Sequence, residues 1–217
     1  MNTSAQKQEQ PVDVLGADAR AALDRDGHVA LAGIVSDADV AAMRVRVEAA
    51  AADAAAAGEG GRGDAEPLVG ELFERAWTHP RLLAAVAHIL GDEVVLTGLG
   101  FRCPAPGHGA QLLHVDHGHG VPAGEYQVCS AFLALVAFGE ENGATRVVPG
   151  THVYGRIPPV KPLTWRHPQE RRLLGPAGTV FVFNGHLWHS GMPNRSQAAR
   201  PALVMSFGRP GASGRMG

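Results

Sequence analysis

At Gly91 the chain changes character, and that change restricts the fold. Upstream, apolar residues recur with helical spacing. A short helical stretch from Ala17 to Leu23 runs into the turn signal Asp26-Gly27. The following residues, His28-Val-Ala-Leu-Ala, read as a short strand. Ser36 and Asp39 resemble a capping box. Beyond them Val40, Met43 and Val47 fall at i, i+3 and i+7, one face of a helix reaching about Ala57. Further helical stretches cover roughly 68–78 and 80–90. Pro80 suits a first turn there, and Gly91 suits the position just past the end. Downstream, β-rich runs at 93–101, 111–116, 127–138, 145–148, 179–183 and 202–207 are separated by Gly, Pro and Asn. There is no internal repeat and no βαβ rhythm, which excludes a parallel α/β fold. The expected architecture is helices first, over about 16–91, then a β core over about 92–209. Together these form a single domain spanning 16–217, behind a polar, disordered tail at 1–15. The run GEGGRGD at 58–64 reads as a flexible break inside the fold.

Composition narrows the function classes. With 45% hydrophobic residues, 217 residues can bury a substantial core. Nineteen basic against 21 acidic side chains leave a formal charge of −2, which speaks against a nucleic-acid partner. No apolar run approaches the roughly 20 residues of a membrane helix. The start, MNTSAQKQEQPVDV, lacks a signal-peptide core, so the expected location is cytoplasmic and no membrane partner is expected. Cys103 and Cys129 are too few for a disulfide framework or a cysteine zinc site, and neither has a base partner in sequence. Histidine is abundant instead. Eight of the 11 lie between 108 and 189, and imidazole is the commonest metal ligand.

The sharpest local pattern is His114-Val115-Asp116. On a strand, residues i and i+2 share a face, so an imidazole and a carboxylate aim at one point. That is two thirds of the 2-His-1-carboxylate set that leaves open positions on non-haem iron(II). A second segment, GTVFVFNGHLWHSGMPNRSQAARPALVMSFG (178–208), holds a strand, a corner with His186 and His189, and then Arg200 opening another strand. Eleven residues separate His189 from Arg200, a reach that lets neighbouring strands present both to one cavity. A buried arginine beside a metal site is costly unless an anion pairs with it. The pattern points to a dicarboxylate that chelates metal at one end and meets the arginine at the other.

These pieces resemble the phytanoyl-CoA dioxygenase family of iron(II)- and 2-oxoglutarate-dependent oxygenases. The matching segments are RDGHVALAGIVSDADVAAMR, THPRLLAAVAHILGDEV, HVD at 114–116, ENGATRVVPGTH at 141–152 and LWHSGMPNRSQAAR at 187–200. They run in family order over about residues 20–209. The resemblance implies a double-stranded β-helix, a cupin-like jelly roll flanked by helices. It implies that His114, Asp116 and His189 hold the metal and that Arg200 salt-bridges the distal carboxylate of 2-oxoglutarate. The context Trp188-His189-Ser190 favours His189 over His186 as the ligand. Family members often carry Ser two residues after the distal His. Here Gly191 stands there, with Ser190 one residue early as the candidate cosubstrate contact. Gln111, three residues before His114, is a second candidate. Halogenating relatives replace the metal carboxylate by a small residue, so Asp116 disfavours halogenation.

For substrate, the candidates are His117 and His119 at the pocket mouth and Arg102 on the first core strand. Arg102 either pairs with an anionic substrate or makes a surface salt bridge, and the HGHG loop is either a contact or solvent-exposed. His108 reads as surface and His152 as part of a structural turn. The implied reaction consumes dioxygen and 2-oxoglutarate, releases succinate and carbon dioxide, and oxidises an unactivated C–H bond of a small organic molecule. No basic cluster suits coenzyme A phosphates, which favours specialised metabolism. Two other readings keep the fold: a cupin-type metalloenzyme without 2-oxoglutarate, and a non-catalytic binding protein. Oligomeric state is open.

Overall fold

The computed structural model describes residues 13–57, 62–64 and 68–211. In chain order the elements are α1 (Ala17–Asp26), β1 (His28–Leu31), α2 (Asp37–Ala56), β2 (Arg62–Asp64), α3 (Glu71–Trp77), α4 (Pro80–Leu90), β3 (Val95–Arg102), β4 (Val128–Ala134) and β5 (Arg146–Val147). After a 3-10 turn at Thr151–Tyr154 come β6 (Arg171–Arg172), β7 (Val180–Asn184), β8 (His189–Ser190) and β9 (Ala202–Gly208). The local signals act as expected. Ser36 Oγ accepts the Asp39 amide at 3.1 Å to open α2, and Pro80 sits in the first turn of α4. Gly27 closes α1 at φ 77, where a Cβ would also stand 2.5 Å from His152 Nδ1, so glycine is required twice over.

A six-stranded antiparallel sheet, ordered β1-β7-β4-β9-β3-β2, faces a three-stranded sheet ordered β6-β5-β8. Strand alternation gives the large sheet two apolar faces. Cys129, Ala131, Leu133, Val180, Val182, Leu203 and Met205 pack with the helices, among them Met43, Val47, Leu82 and Val86. The opposite face carries Phe132, Ala134, Phe181, Phe183 and Ala202, which pack inside with Phe138, Val147 and Leu187. This is the jelly-roll architecture with helices on one side. Among the described residues no helix is long and apolar enough to cross a membrane.

The structure departs from expectation at four places. The sheet draws β1 and β2 from the region expected to be helical, so helices and core are interleaved in sequence. The expected break at 58–64 supplies β2, which pairs with the end of β3; residues 58–61 lie outside the described residues. The expected tail at 1–15 also falls largely outside them, on 1–12, but Leu15 is buried in the core and Asp13 pairs with Arg20. Finally, the expected strand at 111–116 contracts to a single bridge, His114 to His189. Its partner β8 is only two residues long, which limits the pairing to that bridge.

Candidate metal centre

The bridge that replaces the expected strand builds the site. His114 and His189 exchange both backbone hydrogen bonds, at 2.9 and 3.0 Å, so their side chains leave one face with ring centroids 4.4 Å apart. Asp116 joins them two residues on, its amide tied to Gly185 O. One ligand atom from each of the three lies within 4.8 Å of the others, the only such group among the described residues.

Each donor is already oriented. His114 Nδ1 lies 2.8 Å from Leu112 O, and His189 Nδ1 lies 2.8 Å from Leu187 O. In both rings Nδ1–H therefore donates to the carbonyl two residues back, and Nε2 is left to bind metal. Ser130 donates its hydroxyl to Asp116 Oδ2 at 2.6 Å, while Oδ1 sits 3.3 Å from His189 Nε2. One carboxylate oxygen is thus occupied and the other faces the histidines. The charge states suit a cation. Burial works to raise the Asp116 carboxyl, but His189 and the Ser130 bond outweigh it and hold it near 2. Burial, with His189 beside it, brings His114 down to about 4, so at neutral pH it is an unprotonated ligand. His189 moves up because Asp116 outweighs its burial, and a bound cation would displace that proton.

Arg200, just before β9, is 4% exposed. Its Nε and Nη1 have no hydrogen-bond partner among the described residues, and its guanidinium lies 4.1 Å from the ring centroid of Phe138. Burial lowers it to about 10, which still leaves it charged at neutral pH. A buried cation with unfilled donors is a site for an anion.

The remaining candidates separate. Gln111 is at the site: its Oε1 accepts the Gly191 amide at 2.9 Å. An added Cβ at Gly191 would meet Gly109 O at 2.4 Å and Gln111 Oε1 at 2.9 Å, so a serine has no room here. Ser190 leaves the site, against expectation. It alternates with His189 along β8, so its hydroxyl turns to the opposite face and accepts from Arg146 Nε at 2.7 Å. Arg102 pairs with Ala202 across β3 and β9, which puts it on the inner face of the large sheet. Its charge is felt by His114, His189 and Arg200. His117 is half-buried and His119 exposed, with ring centroids 4.4 Å apart, and the His117 ring lies 5.2 Å from that of His186. His186 is buried, but its Nε2 accepts the Gln127 amide at 3.1 Å, which leaves no lone pair for a metal. Ser130 was not anticipated. Only the fold of the 103–127 segment over β4 brings it to Asp116, and no local pattern marks it.

A family model described as Phytanoyl-CoA dioxygenase (PhyH) matches residues 23–202. A dioxygenase of Aspergillus terreus, trt7, is 35% identical over 144 residues, covering 60% of this chain and 47% of its own length. The L-proline trans-4-hydroxylase of Streptomyces griseoviridis is 27% identical over 232 residues, covering 88% of this chain and 86% of its own. The chain thus spans about half the length of the first relative and most of the second. Among solved structures, EctD from S. alaskensis with 2-oxoglutarate and 5-hydroxyectoine superposes with a TM-score of 0.71. It is 22% identical, with 97% of this chain and 82% of that one covered, a likeness of fold.

Proposed function

Because the chain belongs to the phytanoyl-CoA dioxygenase family, we propose that it is an iron(II)- and 2-oxoglutarate-dependent dioxygenase that hydroxylates an unactivated C–H bond of a small organic molecule. The observation that carries this reading is the coexistence of a preset His114–Asp116–His189 donor set with a buried, unfilled Arg200. Bound iron with 2-oxoglutarate and dioxygen supplies the oxidation, releasing succinate and carbon dioxide.

The chain's own residues set the conditions for it. Two Nε2 atoms and Asp116 Oδ1 would hold the ion, a three-donor set of the kind that leaves room for a 2-oxo acid and dioxygen. Ser130 occupies Oδ2, so Asp116 would offer the ion Oδ1 alone. Arg200 receives the distal carboxylate, and Gln111 lies beside it at Gly191. Phe132, Ser206 and Arg102 are half-buried although they lie on the inner face of central strands, so the interior has room for a ligand. Arg102, His117 and His119 are the residues we assign to the substrate. The hydroxylase among the relatives and the small-molecule complex of the structural neighbour support a compact substrate. Specialised metabolism is the setting we favour.

The test is anaerobic titration of the purified protein with iron(II) and 2-oxoglutarate. A weak visible charge-transfer band, lost in His114→Ala, is expected. Bound iron without a band would overturn the cosubstrate assignment.

A further inference from the structure

Arg200 differs from an ordinary ligand-binding arginine in how it is held. No side chain or carbonyl among the described residues accepts from its Nε or Nη1. Gly191 brings no side chain to the site, and the space a Cβ would take is closed by Gly109 O and Gln111. What orients the guanidinium is the face of Phe138, 4.1 Å away. That ring is itself fixed. It is 2% exposed and stacks on Phe181 at 5.4 Å, and its backbone is bridged to Gly175 through 2.8 and 3.2 Å hydrogen bonds. Arg200 is anchored behind by its amide, which donates to Pro104 O at 3.2 Å.

We propose that Phe138 is a positioning residue for the cosubstrate, and that through Arg200 it sets the length of 2-oxo diacid accepted. This rests on the oxygenase reading above. A 2-oxo acid chelated at the metal has its oxo end fixed. The separation between the metal centre and Arg200 then measures the number of methylenes to the distal carboxylate. A guanidinium held over a rigid ring by cation–π attraction measures it sharply, while its Nε and Nη1 donors stay free for the carboxylate. A guanidinium without that ring follows the ligand, and the measure blurs. The ring does not touch the cosubstrate. It acts only through the arginine.

The experiment replaces Phe138 with 4-fluoro- and 3,4,5-trifluorophenylalanine, which keep the ring's shape but weaken its negative face, and separately makes Phe138→Leu and Phe138→Tyr. Dissociation constants for 2-oxoglutarate and 2-oxoadipate are read anaerobically from the iron(II) charge-transfer band. They are read independently from the ligand-induced thermal shift of the metal-free protein. Fluorination is expected to weaken 2-oxoglutarate binding in graded steps, reaching about 3- to 30-fold in Phe138→Leu. The preference over 2-oxoadipate should narrow in parallel, with the unliganded melting temperature of the fluorinated proteins unchanged and Phe138→Tyr restoring both affinity and preference. Unchanged affinity and preference in the trifluoro protein would overturn the role of Phe138 while leaving the oxygenase reading intact. If wild type itself bound no 2-oxoglutarate, the oxygenase reading would fall first. A loss in Phe138→Leu that tracks its melting temperature, without graded loss on fluorination, would reduce Phe138 to packing.

Discussion

Two arginines are buried to nearly the same degree, Arg146 at 2% and Arg200 at 4% exposure, on opposite sides of the small sheet. On the outer side, Arg146 spends its donors within the protein. Its Nε goes to Ser190 Oγ at 2.7 Å, and its Nη1 goes to Trp165 O at 2.8 Å and Glu170 Oε2 at 2.7 Å. On the inner side, Arg200 has a ring beneath it and two unfilled donors. Burial alone therefore does not distinguish a structural cation from a binding one; satisfaction of its donors does. The outer region ties β5, β8 and the 165–170 loop together. The inner region holds a cation in readiness for an anion.

The sharpest way to break this contrast is to remove each cation. Arg146→Met leaves Glu170 only the His167 amide at 3.0 Å and Arg166 at 3.5 Å, frees Ser190 and Trp165 O of their donor, and should cost about 1–3 kcal/mol in urea unfolding. Arg200→Met strands nothing, and the metal-free protein should be as stable as wild type or slightly more so, while 2-oxoglutarate binding weakens by about 2–5 kcal/mol in calorimetry. Equal stability losses in the two variants would erase the distinction.

Ser130→Ala tests whether the inner region is also preset at its metal end. Loss of the hydroxyl on Asp116 Oδ2 should weaken iron(II) binding about 10- to 100-fold, measured by competition with a chelator. Gly191→Ser asks whether a hydroxyl two residues after His189 could supplement Arg200. Because its Cβ would meet Gly109 O at 2.4 Å, it should cost about 1–3 kcal/mol of stability without tightening 2-oxoglutarate.

The smallest effect is that of pH on the metal-free protein. Burial holds His114 and His186 near 4 in the folded state, below the ordinary 6.5 of the unfolded chain. Between those values the unfolded chain binds the more protons, so the melting temperature should fall as pH drops from about 6.5 to about 4. His189, raised by Asp116, acts above that window: from about pH 6.5 upward the folded protein binds the more protons at this ring, and its contribution to stability is lost as pH rises. Iron should flatten the curve above pH 6.5 and steepen it below, since protons then compete with the metal.

Much of this was legible in one dimension, because the information was local. Ser36, Pro80 and Gly91 mark helix ends by groups within a few residues of them, and the texture after Gly91 marks the β core. The i, i+2 spacing of His114 and Asp116 predicted that they converge, as they do although only a single bridge forms, and the segments around them identify the family and the distal ligand. The rest depends on contacts that sequence distance hides. Ser190 stands next to a ligand in sequence yet faces Arg146, 44 residues away, because a two-residue strand alternates its side chains. Ser130 meets Asp116 through the fold of the 103–127 segment over β4, and Phe138 meets Arg200 because β4 and β9 pair antiparallel with Ala134 opposite Ala202. Side-chain type and spacing thus determined which residues could bind metal and carboxylate. Which donors are spent and which stay free was decided by register and burial, since a hydrogen bond or a ring contact is satisfied in space rather than along the chain.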